Sequence, residues 1–219
     1  MLDPRLLRLY LCAGSALTLG RPLDEAVAAA IAGGVTMVQL REKDASGREF
    51  YERALSVRRI TEAGGVPLVI NDRLDVALGV GAAGLHIGQH DIPVEAARRV
   101  AGNRLFIGVS VGTVAEALRA QAGGADYLGA GAVFPTGSKA DAGDAIGVAA
   151  LGAICSAVRI PVVAIGGICP GNAGAVLETG AAGIAVISAI LSQSDIKSAA
   201  SAAASGSLRL FQKRPAKRP

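Results

Sequence analysis

The 219-residue sequence has no tryptophan, three tyrosines and four phenylalanines, so aromatic side chains make up only 3% of it. That is too few for a base-stacking surface, and no basic stripe interleaves with them, so specific nucleic-acid binding is not expected. Cysteine is scarce too: Cys12, Cys155 and Cys169 show no CxxC spacing and leave one thiol over however they are paired. Neither a disulfide framework nor a zinc cluster is indicated, and reduced thiols packed as small hydrophobes are expected. No uninterrupted apolar run reaches the ~18 residues of a membrane-spanning helix. The N-terminal stretch scatters Asp3, Arg5 and Arg8 among apolar positions, unlike the ordered regions of a signal peptide. A soluble, cytoplasmic protein is therefore expected.

Positive charge is in excess by four, but its location matters more than its size. Arg209, Lys213, Arg214, Lys217 and Arg218 lie in an acid-free segment punctuated by proline, and without those five the rest holds 17 basic and 18 acidic residues. Residues 206–219 are therefore expected to be a basic, disordered tail, and residues 1–205 a single domain.

What is abundant is apolar character, 51% of the chain, arranged in a repeating pattern. Short runs rich in β-branched residues alternate with longer alanine-rich segments of helical spacing, which is the signature of parallel strands joined by helices. Eight strand candidates occur, at residues 6–11, 36–40, 68–70, 84–87, 105–109, 127–129, 162–165 and 184–187. Their near-continuous apolar character suits strands buried on both faces. Ser46 with Glu49, and Thr113 with Glu116, are spaced as helix-starting capping boxes, while Gly33-Gly34, Gly64-Gly65, Gly123-Gly124 and Gly180 fall where helices should end. Eight regular units favour an α/β fold of the (β/α)8 TIM-barrel type over an open doubly wound sheet.

Two nucleotide-binding patterns can be set aside. Residues 79–84 match G-x-G-x-x-G, but they end a helix and precede a strand, the reverse of a dinucleotide site. Gly137-Ser138-Lys139 has the wrong order for a phosphate-binding P-loop.

In such a barrel catalysis sits where strands end, and there the polar residues collect. Gln39-Leu40-Arg41-Glu42-Lys43 follows the second run, Asn71-Asp72 the third, and His86-Ile87-Gly88-Gln89-His90-Asp91 the fourth. Ser110 follows the fifth, a loop containing Thr136, Gly137, Ser138 and Lys139 the sixth, Gly166-Gly167 the seventh, and Ile187-Ser188 closes the eighth. Arg41, Lys43 and Lys139 would supply three cations, and Asp72 and Asp91 two carboxylates, a set suited to a magnesium diphosphate. Glu42, between two cations, is read as a structural partner. Glycine after the seventh strand and serine after the eighth suit a second phosphate held by backbone amides. Singly, each residue has a plainer reading: Asn71 and Asp72 could form a turn, Asp91 could cap the next helix, and the cations could be solvated. Their coincidence at successive strand ends argues against that.

The ordered segments QLREK, IND, HIGQHD, GVS, FPTGSK, AIGGI and VIS closely resemble the motif series of the thiamine phosphate synthase family. The resemblance implies a (β/α)8 barrel that couples hydroxymethylpyrimidine diphosphate to hydroxyethylthiazole phosphate, releasing pyrophosphate. It implies that Gln39, Leu40, Arg41, Glu42, Lys43, Asn71, Ser110 and Lys139 bind the pyrimidine diphosphate, with Arg41, Lys43, Ser110 and Lys139 in catalytic roles, and that Asp72 and Asp91 carry Mg2+. Thr136, Gly137, Ser138, Gly167, Ile187 and Ser188 would hold the thiazole phosphate. The implied mechanism is dissociative, with diphosphate leaving before the thiazole nitrogen attacks. Ser138 stands where the family usually has Thr, and Ala132 where Pro is common. Competing readings are a thiazole tautomerase of the same superfamily, a sugar-phosphate isomerase or epimerase, for which no acid/base pair is evident, and a noncatalytic anion-binding barrel.

Overall fold

Parallel strands need a crossover before each can pair with the next, and the alanine-rich segments provide those crossovers as helices. The computed structural model describes residues 2–138 and 143–212, with side chains to residue 206. In order along the chain run β1 (Leu9–Ala13), α1 (Leu23–Ala32), β2 (Met37–Leu40), α2 (Gly47–Ala63), β3 (Leu68–Asn71), α3 (Leu74–Val80), β4 (Gly84–Ile87) and α4 (Val94–Ala101). The second half continues with β5 (Phe106–Val111), α5 (Val114–Ala122), β6 (Tyr127–Ala130), α6 (Gly147–Ala157), β7 (Val162–Ile165), α7 (Ala173–Glu178), β8 (Gly183–Val186), α8 (Ser188–Leu191) and α9 (Ile196–Gln212). Each strand pairs in parallel with its successor, and β8 pairs with β1 through Leu9–Ile184, Tyr10–Ala185 and Leu11–Val186, closing the barrel. The expected α/β barrel of eight units is the fold observed.

Six of the eight strands differ from the sequence reading by one to three residues at an end, and at two of those ends the cause is local capping. The first run was expected to be extended from residue 6, but Pro4–Leu7 forms a 3-10 turn. Asp3 caps that turn by accepting from the Arg5 amide at 2.9 Å, and Pro4 occupies its first position, where a missing N–H costs nothing. At the other end Ile187 leaves β8 and takes the N-cap position of α8. Both capping boxes form as read: Ser46 Oγ accepts from the Glu49 amide at 3.3 Å and Glu49 Oε2 from the Ser46 amide at 2.8 Å. Thr113 and Glu116 repeat the arrangement.

The strands are buried on both faces, which is why they read as unbroken apolar runs. Ile196 and Ala200 of α9 belong to the same core, and α9 packs against α1, α7, α8 and β1. The backbone of α9 continues to Gln212, past residue 206 where the sequence reading began its tail, while residues 213–219 lie outside the described residues. No disulfide joins the three cysteines; Cys12 and Cys155 are buried and Cys169 is exposed. Among the described residues no helix is long and apolar enough to cross a membrane.

Candidate active site

The C-terminal ends of the strands surround one cavity of about 790 Å³. Of the residues singled out from sequence, Arg41, Lys43, Asn71, Asp72, Asp91, Ser110, Thr136, Gly137, Ser138, Gly167, Ile187 and Ser188 line it together. Three others do not. Leu40 is fully buried in the barrel wall. Gln39 points inward beneath the cavity floor, where its amide donates to Tyr10 Oη at 2.8 Å. Glu42 is turned away from the cavity and ties three segments together: Oε1 accepts from the Ser15 amide at 2.8 Å and its hydroxyl at 2.7 Å, and Oε2 meets Arg53 Nη1 at 2.8 Å. Lys139 lies outside the described residues.

One side of the cavity is acidic and cationic at once. Asp72 follows β3 with a left-handed φ of 62°, a conformation aspartate tolerates better than most residues, and its amide donates to the His86 carbonyl of β4 at 2.8 Å. Asp91 ends the turn after β4, where its Oδ2 accepts from the Gly88 amide at 2.7 Å. The helix-cap alternative for Asp91 is not what forms, since the N-cap of α4 is Pro93. Lys43 Nζ donates to Asp72 Oδ2 at 2.6 Å. Even so, the Asp72 carboxyl is held above its ordinary range, first by burial and then by the adjoining Asp91 carboxyl, with Lys43 pulling the other way. Two neighbouring carboxylates on the cavity wall are oxygen ligands of the kind a divalent cation takes. Among the described residues no cluster of three or more metal-ligating side chains forms, so such a cation would take its remaining oxygens from water and a bound phosphate, as magnesium does.

The opposite side is built from backbone and hydroxyls. Gly166 and Gly167 have φ of 101° and 63°, and a Cβ on Gly167 would stand 2.7 Å from both Phe134 Cβ and the Pro135 carbonyl oxygen. Only glycine lets the β7 exit pass this close to the loop after β6. That loop is joined to the start of α8 where Ser138 Oγ donates to Ser188 Oγ at 3.2 Å. Arg21 fixes the far end of α8, donating to the carbonyls of Leu191 at 3.0 Å and Gln193 at 2.7 Å. Among the described residues this side offers amides and hydroxyls, a surface for a phosphate monoester.

Sequence reading missed what lies below. Tyr10 and Tyr127 are wholly buried, their hydroxyls 2.9 Å apart, and His86 links Tyr127 to Ser110 at the cavity wall. The available signal was modest: two of only three tyrosines fall inside apolar strand runs, where a hydroxyl needs a partner. Arg21 carried no signal, because its partners are about 170 residues away.

A family model described as thiamine monophosphate synthase matches residues 9–190. The chain is 53% identical over 192 residues to the thiamine-phosphate synthase of Ruminiclostridium cellulolyticum, covering 88% of this chain and 91% of that protein. It is 50% identical, over the same lengths, to that of Moorella thermoacetica. Among solved structures, thiamine phosphate pyrophosphorylase from Pyrococcus furiosus superposes with a TM-score of 0.88 at 43% identity, over 95% of this chain and 98% of that one. With the family model spanning most of the barrel and relatives this similar over nearly their whole length, the chain belongs to the thiamine monophosphate synthase family of transferases.

Proposed function

We propose that the chain condenses 4-amino-2-methyl-5-(diphosphooxymethyl)pyrimidine with 4-methyl-5-(2-phosphooxyethyl)thiazole, giving thiamine monophosphate and pyrophosphate, in the cytoplasm. The observation that carries this reading is the division of a single cavity into a paired-carboxylate side with Lys43 and Arg41 and an amide and hydroxyl side around Gly167, Ser138 and Ser188. The first suits a diphosphate and the second a monophosphate. Asp72 and Asp91 would hold Mg2+. When bound, the ion offsets charge on the diphosphate oxygens and so favours their departure.

The chain's own groups account for the rest. Arg41 and Lys43, with Lys139, balance the remaining negative charge on the leaving diphosphate. Asn71 and Ser110, which line the cavity, orient the pyrimidine. The thiazole phosphate is anchored so that its ring nitrogen faces the methylene carbon as the carbon–oxygen bond breaks, and a nucleophile held there gains the advantage of proximity. No general base is needed, because the attacking nitrogen carries no proton to remove. The test is to mix the purified protein with both heterocycle phosphates and Mg2+. Pyrophosphate and thiamine monophosphate should appear in equal amounts, and neither should form when one heterocycle is left out. Isomerisation of the thiazole phosphate alone would count for a tautomerase instead.

A further inference from the structure

Beneath the cavity a single line of hydrogen bonds crosses the barrel interior. It joins Gln39 of β2, Tyr10 of β1, Tyr127 of β6, His86 of β4 and Ser110 of β5 through contacts of 2.8, 2.9, 2.9 and 2.9 Å. The sequence makes room for it. A Cβ on Gly108 would stand 2.0 Å from Tyr127 Cζ and 2.4 Å from its hydroxyl, and one on Gly129 would stand 3.0 Å from His86 Cε1.

Proton bookkeeping gives the line a direction. The Gln39 amide nitrogen can only donate, so Tyr10 Oη accepts from it and turns its own proton toward Tyr127 Oη. Tyr127, already accepting, gives its proton to His86 Nδ1. The ring proton of neutral His86 is then on Nε2, where it donates to Ser110 Oγ. The Ser110 hydroxyl, its lone pair engaged from below, has its proton left for the cavity it lines. Burial raises the pKa of both phenols, so they stay protonated and the direction does not reverse with pH in the physiological range.

The geometry points to Tyr10 and Tyr127 as positioning residues that, through the tautomer of His86, set Ser110 as a hydrogen-bond donor to an acceptor nitrogen of the bound pyrimidine. This rests on the proposed function for the ligand, but not for the relay. Packing alone would be served as well by phenylalanine. The hydroxyls are what differ.

The chain has only two histidines, His86 and His90, so 15N NMR of the labelled full-length protein can read the imidazole directly. His86 should be the Nε2-protonated tautomer, and Tyr127→Phe should shift population toward Nδ1 protonation. In steady-state kinetics Tyr127→Phe should raise KM for the pyrimidine diphosphate about fivefold to tenfold, the range for losing one oriented hydrogen bond. KM for the thiazole phosphate should be unchanged. Tyr10→Phe, one link further away, should act in the same direction more weakly, and it serves if Tyr127→Phe does not fold. The proposal is overturned by an Nδ1-protonated His86 in the unmodified protein. It is equally overturned by phenylalanine variants that lower Tm yet leave both the tautomer and the pyrimidine KM as they were. Failure of the unmodified protein to make thiamine monophosphate would strike the proposed function and the ligand half of the inference, leaving the tautomer result to decide the relay.

Discussion

Asp72 carries the most chemistry per atom in the cavity, because burial and Asp91 both resist its ionisation while Lys43 favours it. Its proton is held more tightly in the folded chain than in the unfolded one, whose aspartate titrates near 3.8. The metal-free fold is therefore favoured below that value and loses stability as pH climbs through the raised native pKa. Asp72→Asn should remove this loss. Without metal, its Tm relative to the unmodified protein should rise from about pH 4 upward and then level off, and a difference independent of pH would contradict the account. The same carboxylate should be indispensable once substrate is present. Asp72→Ala or Asp91→Ala should cut Mg2+-dependent turnover by about two orders of magnitude or more while circular dichroism shows the fold intact. Undiminished metal dependence in either variant would count against these two ligands.

Elements differ in what holds their ends, and each end can be tested by itself. In α2 the reciprocal Ser46–Glu49 cap satisfies two amides that the helix cannot. Ser46→Ala should cost about 1 kcal/mol, a fall in Tm of about 2–4 °C for a protein of this size, with kinetics untouched. At the β7 exit the constraint is steric. Gly167→Ala places a methyl against Phe134 and Pro135 at positive φ, a strain of about 1–3 kcal/mol, and should raise KM for the thiazole phosphate about tenfold or more. A larger effect on the pyrimidine diphosphate would mean the two sides of the cavity have been assigned the wrong way round. Strand positions were legible from the apolar runs, with ends placed to within one to three residues. They were misread at Leu6, where Asp3 and Pro4 turn an apolar stretch into a 3-10 turn, because local capping outweighs β-propensity there.

At the scale of the whole molecule, the barrel closes between β8 and β1 and is backed by the buried start of α9. Trimming residues 206–219 should leave turnover intact, as the groups proposed to be catalytic precede that segment in the strand-end loops. Loss of activity on trimming would instead favour a role for the basic segment. The order of apolar runs, caps and glycines was enough to specify eight βα units, since each is a local pattern with a local cause, and the polar residues at strand ends followed from that period. Side-chain direction was not specified in this way. Glu42 and Lys43 are neighbours in sequence, yet one is sealed among Ser15 and Arg53 and the other faces the cavity beside Asp72. Tyr10 and Tyr127 meet only because closure brings β1 and β6 across one interior. Contacts between distant segments are decided when the sheet curves shut, and that long-range geometry is what tertiary structure alone supplied.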